Sequence, residues 1–90
     1  MKVKLDRYSL DVLINGLYQH KDSYGNISDF LLRLVKESEQ IKHNRKKKLV
    51  FQPDEVMLIR TCLLDWRNEQ IRAGKEVAVE VITELLEKFI

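Results

Sequence analysis

The chain has few of the residues that mark disulfide frameworks, metal sites and membrane segments. Its single cysteine, Cys62, excludes an intramolecular disulfide and has no second cysteine or nearby histidine as a metal-ligand partner. The two histidines, His20 and His43, are equally isolated. No apolar run reaches the roughly 18 residues that a membrane-spanning helix needs, and the stretch MKVKLDRYSL lacks the apolar segment of a secretory signal. We therefore expect a cytoplasmic protein that uses no cofactor or metal.

Catalytic patterns are missing as well. No acid, base and nucleophile are arranged in a recognisable motif. Cys62 lies in the apolar stretch TCLLD, where a lone cysteine is typically a small buried hydrophobe, because a reactive thiol needs a basic or histidine-rich neighbourhood. We predict that the chain is not an enzyme.

Glycine and proline are scarce, with three and one in 90 residues, while 44% of the chain is hydrophobic and 33% is charged. This composition is typical of one small, helix-rich folded domain. The charge is unevenly distributed: residues 1–48 hold 11 Lys+Arg and 6 Asp+Glu, whereas residues 49–90 hold 5 and 8. The positive charge is concentrated in KHNRKKK at residues 42–48, which also has the composition of a linker.

The first half of the chain has a strand pattern followed by two helix patterns. KVKL alternates polar and apolar residues, and the following segment can begin a helix capped by Asp6 or Ser9. Gly25 in DSYGN interrupts the helical pattern, and a second helix is predicted with Ser28 as its N-cap. The apolar residues at helical spacing are Leu10, Leu13, Ile14, Leu17 and Tyr18 in the first helix, and Ile27, Phe30, Leu31, Leu34 and Val35 in the second.

The second half repeats this order. KLVFQ at residues 48–52 is strand-like, and Pro53 suits the first turn of a helix, where its missing N–H costs nothing. Gly74 ends that helix, and EVAVEVITELLEKFI indicates another, although the alternating β-branched residues of VAVEVIT at 77–83 are also compatible with a strand. The third helix carries Val56, Ile59, Leu63 and Trp66 on one face, and the fourth carries Val77, Ala78, Val81, Ile82, Leu85, Leu86 and Phe89.

The apolar positions of the two halves align at a constant offset of 46, which becomes about 51 after the glycine of each half. This pattern predicts two β-α-α repeats, at residues 1–41 and 48–90, joined by a basic linker at 42–47. The predicted fold is mostly α, with four helices and a short two-stranded antiparallel ribbon. An all-α four-helix domain is the alternative.

The segments VKLDRYSLDVLINGLYQHKDSYGNISDFLLRLVKE and VFQPDEVMLI resemble the ribbon-helix-helix family of DNA-binding proteins, in a tandem form. The chain is also similar to small proteins carried by conjugative transposons of Gram-positive bacteria, a class of mobile element. The family resemblance implies a small accessory or regulatory protein whose ribbon lies in the major groove of duplex DNA.

The resemblance also implies which residues contact DNA. The outward strand positions would be Lys2, Lys4 and Asp6 on the first strand, with Lys48, Val50 and Gln52 on the second. The amides that begin the second helices, near Asn26 and near Lys75, would hold backbone phosphates. The basic run Arg45, Lys46, Lys47 and Lys48 would be a phosphate-contacting arm, and a solvated linker is the alternative interpretation.

The third helix supports a different function. Its apolar residues, which are Met57, Leu58, Ile59, Cys62, Leu63 and Leu64, cover more than one face. Such a helix is either central in the fold or partly an interface. The alternative to DNA binding is therefore a helical protein–protein interaction module without a nucleic-acid role, which binds a partner or a second copy through the helix at 54–72.

Overall fold

The computed structural model describes residues 1–90, and its elements follow the order β-α-α-β-α-α. They are β1 (Lys2–Asp6), α1 (Arg7–Gln19), a short 3-10 turn (Lys21–Ser23), α2 (Ser28–Gln40), β2 (Lys46–Val50), α3 (Pro53–Arg72) and α4 (Glu76–Glu87). The two strands pair antiparallel within the chain. The predicted mostly α fold with a short ribbon is thus confirmed, and VAVEVIT is helical. None of the helices combines the length and apolarity needed to cross a lipid bilayer.

The helix starts follow from local side-chain chemistry. The Asp6 carboxylate caps α1 by accepting the Ser9 N–H at 2.7 Å. Pro53 is the first residue of α3, and the N–H of Gln52 donates to Glu55 at 2.8 Å.

The start of α2 differs from the prediction. Ser28 is the first helical residue and not the N-cap, a position that Ile27 occupies. The Ser28 N–H instead donates to Oδ1 of Asn26 at 3.1 Å. Asparagine readily bonds the backbone two residues ahead in this way, so the serine hydroxyl is not needed as a cap.

The two helix-helix turns use glycine in the left-handed region, with φ of +78° at Gly25 and +69° at Gly74. Residues with a Cβ avoid this region, which explains why a glycine ends the helical pattern in each half. Both interruptions predicted from the sequence are confirmed.

The ribbon pairs Lys2 with Val50, Val3 with Leu49, Lys4 with Lys48, Leu5 with Lys47, and Asp6 with Lys46. Two further bonds extend it: the N-terminal ammonium donates to the Phe51 carbonyl at 2.9 Å, and the Phe51 N–H donates to the Met1 carbonyl at 2.8 Å.

The second strand was predicted at residues 48–52, and that boundary is wrong. Because Gln52 becomes the N-cap of α3, the strand ends at Val50, and it begins two residues earlier, at Lys46. Lys46 and Lys47 are strand residues, so residues 41–45 make the connection.

One core is built from both halves of the chain. Val3 and Leu5 of β1, with Leu49 and Phe51 at β2, are buried beneath the helices. The Phe51 ring packs edge-to-face on Phe89, with centroids 5.3 Å apart. The helices contribute Leu10, Leu13, Leu17, Ile27, Leu34, Val56, Ile59, Cys62, Leu63, Ile82, Leu85 and Leu86 to this core.

Helices α1 and α3 come close together at Gly16 and Trp66. A Cβ on Gly16 would lie 2.6 Å from Cε3 of the Trp66 ring and 2.7 Å from Cζ3. These distances are too short for two carbon atoms that are not bonded to each other. Helix α1 can therefore lie against the indole only because residue 16 has no side chain.

We expect Gly16→Ala to lower the free energy of unfolding, although alanine is favoured over glycine inside a helix by about 1 kcal/mol. The added methyl must displace the Trp66 ring or separate the helices, and overpacking of this kind costs about 1–3 kcal/mol. Urea unfolding followed by circular dichroism measures the change. The exposed neighbour Asn15 supplies a control, because Asn15→Ala should be neutral or stabilising. A Gly16→Ala protein that is as stable as wild type would contradict the contact.

Candidate nucleic-acid interface

The ribbon has two chemically different faces, because side chains alternate along each strand and directly paired residues share a face. Val3, Leu5 and Leu49 face the helices and are buried. The other side is open to solvent and is called the outer face. It consists of Lys2, Lys4, Asp6, Lys46, Lys48 and Val50.

The four lysines of the outer face have no partner within the protein. All four are exposed, and the ion pairs of the chain join other residues. Lys4 and Lys48 lie directly opposite each other. Like charges at such a position repel and reduce the stability of the ribbon. The pairing of Lys4 with Lys48 therefore costs the fold stability, and an anionic ligand would neutralise this repulsion.

Asp6 is the only acid of the outer face, and its carboxylate is already occupied. The bond from the Ser9 N–H is the main cause that lowers the pKa of Asp6, and the charge of Lys46 across the ribbon lowers it further. The carboxylate is turned toward the first turn of α1. It acts as a helix cap and does not project from the ribbon as a free anion.

Lys47, which was predicted to contact DNA with its neighbours, belongs to the inner side of the ribbon. Its ammonium donates to Oε2 of Glu37 at 2.8 Å and to Oε1 of Gln40 at 2.7 Å, both on α2. The strand alternation explains this placement, since Lys47 is paired with the buried Leu5. Counting back from Leu49 would have assigned Lys48 and Lys46 to one face and Lys47 to the other, had the strand boundary been known.

The remaining predicted contacts do not lie on the outer face. Arg45 is exposed in the turn before β2, with its N–H donating to the Lys42 carbonyl at 3.0 Å, and Gln52 is exposed just beyond Val50. Asn26 and Lys75 are exposed residues that precede α2 and α4. The side chain of Asn26 already binds the Ser28 N–H, one of the amides predicted to hold phosphate.

A polar cluster away from the ribbon joins α1 to α3. Nδ1 of His20 lies 2.7 Å from the Gly16 carbonyl oxygen, and Nε2 lies 3.0 Å from Oε1 of Glu69. Both neighbours are hydrogen-bond acceptors, so both bonds form only when both ring nitrogens are protonated. Burial of the ring opposes this charge, but the Gly16 carbonyl and the carboxylates of Glu69 and Asp65 outweigh it and raise the pKa of His20 above 6.5.

The environment of Cys62 is unsuited to nucleophilic chemistry. Burial and the nearby charge of Asp65 raise the pKa of the Cys62 thiol to about 12. Burial and a 2.9 Å bond to Asp65, in which the hydroxyl donates, also raise the pKa of Tyr24. Both groups are therefore protonated at neutral pH and serve packing and hydrogen bonding in the structure.

Fold and site define a small β-α-α-β-α-α protein with a lysine-rich ribbon open to solvent. A scan against protein-family models, a search of curated proteins and a search of solved structures each found no match to the chain.

The His20 cluster makes stability depend on pH. A raised folded-state pKa means that the stabilisation from the charged ring is complete below the unfolded pKa of about 6.5 and is lost as pH rises through the folded value. We expect the stability difference between wild type and His20→Gln to be largest below about pH 6.5 and to shrink at higher pH. Urea unfolding across this range measures it. The exposed His43 provides the matched control His43→Gln, and an equal pH dependence in both variants would contradict the role of Glu69.

Proposed function

We propose that this protein binds duplex DNA through the outer face of its ribbon, as a small accessory or regulatory protein without enzymatic activity. The observation that supports this most directly is the set of four exposed, unpaired lysines, two of them directly opposite on adjacent strands. The repulsion between Lys4 and Lys48 costs the fold stability, and an anionic ligand that neutralises both charges would explain why they are present.

The shape of the ribbon favours duplex DNA among anionic ligands. The major groove of B-form DNA admits a two-stranded β-ribbon. Five-residue strands span roughly 17 Å, enough to present several side chains to successive base pairs. Lysine ammonium groups can donate to phosphates or to the guanine acceptors O6 and N7. Arg45 and Lys42, in the turn before β2, lie at one end of the ribbon where the DNA backbone would pass.

The test is the affinity for a short duplex of random sequence, measured by fluorescence anisotropy over a series of salt concentrations. The logarithm of the affinity should fall linearly with the logarithm of salt concentration. The double variant Lys4→Ala/Lys48→Ala should bind about 10-fold more weakly and show a slope smaller by about 2, because each lysine charge lost from the interface removes about one unit.

Lys47 supplies a matched control in the same strand. Lys47→Ala removes the same charge from the inner side, where it is neutralised by Glu37, so the variant should bind DNA nearly as wild type does. No binding at low salt would overturn the proposal. If Lys47→Ala lost as much affinity for the duplex as Lys48→Ala, binding would depend on the net charge of the protein and not on the outer face.

One observation favours the second candidate, a protein interaction module. Met57, Leu64 and Ile71, spaced seven residues apart on the solvent side of α3, are 69%, 46% and 48% exposed. An apolar stripe with heptad spacing is typical of helix pairing, and a second copy of the chain offers the same stripe. Sedimentation equilibrium tests this candidate: dimerisation that Leu64→Glu abolishes would support it, and a monomer at high concentration would contradict it.

A further inference from the structure

The ribbon has an internal two-fold relation that the structure makes visible. The strand register pairs Val3 with Leu49, and the offset of 46 between the two halves equates the same two residues. The helix starts obey the same offset, since α1 begins at Arg7 after the N-cap Asp6 and α3 begins at Pro53 after the N-cap Gln52. An approximate two-fold axis therefore passes between Val3 and Leu49, which form the second of the five residue pairs of the ribbon.

The outer face does not share this symmetry. The axis equates Lys2 with Lys48, which are identical, but it equates Lys4 with Val50, which differ in charge and polarity. Lys4 and Lys48 consequently form a pair on one side of the axis, with the pair Asp6 and Lys46 beyond it. The other side of the axis carries Lys2 directly opposite Val50.

Val50 is 59% exposed, although the outer-face residues next to it are lysines. Burial in the core does not account for its aliphatic side chain. In the major groove the group that offers an apolar contact is the C5-methyl of thymine, whereas lysine pairs with the acceptors of guanine. The two sides of the axis thus match different base pairs.

We propose that the chain recognises a non-palindromic DNA site, in which Val50 packs against a thymine methyl at one end while Lys4 and Lys48 contact guanine at the other. This inference rests on the proposed DNA binding. In this proposal Val50 selects for thymine. Lys4, its counterpart across the two-fold axis, makes the first half of the DNA site differ from the second. A symmetric site would leave either Val50 facing guanine acceptors or Lys4 facing a methyl group.

The experiment begins with selection of bound sequences from a pool of random duplexes, with wild type and with Val50→Lys. Wild type should select an asymmetric site with thymine at one end. Val50→Lys makes the equivalent positions identical and should select a site closer to a palindrome, without that thymine. Because residue 50 is exposed, circular dichroism and urea unfolding should show that the variant remains folded.

The second step isolates the methyl group. In the selected duplex the thymine is replaced by deoxyuridine, which removes the C5-methyl and nothing else. Wild type should bind about fourfold more weakly, the factor expected for one buried methyl. Val50→Ala, which retains the backbone and the charge of the face, should lose most of this discrimination.

The outcomes separate this inference from the function on which it rests. Salt-dependent binding with a palindromic consensus, or equal affinity for the thymine and deoxyuridine duplexes, would overturn the role of Val50 while leaving DNA binding in place. No duplex binding by wild type under any salt condition would overturn both. An asymmetric consensus with a methyl effect that disappears in Val50→Ala would support both.

Discussion

The pairing of β1 with β2 is the constraint on which the rest of the structure depends. A two-stranded ribbon is marginal in water by itself, so it persists only when one face is covered. In this chain that face carries Val3, Leu5 and Leu49, whose side chains are buried in the core. The helices of both halves pack over it. The strand pairing thereby joins residues nearly 50 positions apart into one hydrophobic core and brings α1 against α3 at Gly16 and Trp66.

The same pairing determines what the surface can do. Once the register is set by the buried residues, alternation sends Lys2, Lys4, Lys46 and Lys48 to the solvent and turns Lys47 toward Glu37. Asp6 also belongs to the outer face, but its carboxylate is held at the cap of α1. The proposed DNA interface is a consequence of the register, and so is the difference between the Lys4/Lys48 pair and the Lys2/Val50 pair.

Much of this architecture could be predicted from the amino-acid sequence, because the helices have strong apolar periodicity and Gly25, Pro53 and Gly74 mark their limits. The beginning of β2 could not, since the run of lysines at 46–48 shows no alternation of polar and apolar residues. The facing direction of Lys47 was missed for the same reason. The contact between Gly16 and Trp66 was also not predictable, because a glycine inside a helix gives no sign of what lies opposite it.

Backbone amide chemical shifts, followed during titration with a short DNA duplex, would show most directly whether the outer face of the ribbon is the binding surface. We expect the largest changes at residues 2–4 and 46–50, with little change along the exposed stripe of Met57, Leu64 and Ile71. Changes confined to α3, or none at low salt, would contradict it.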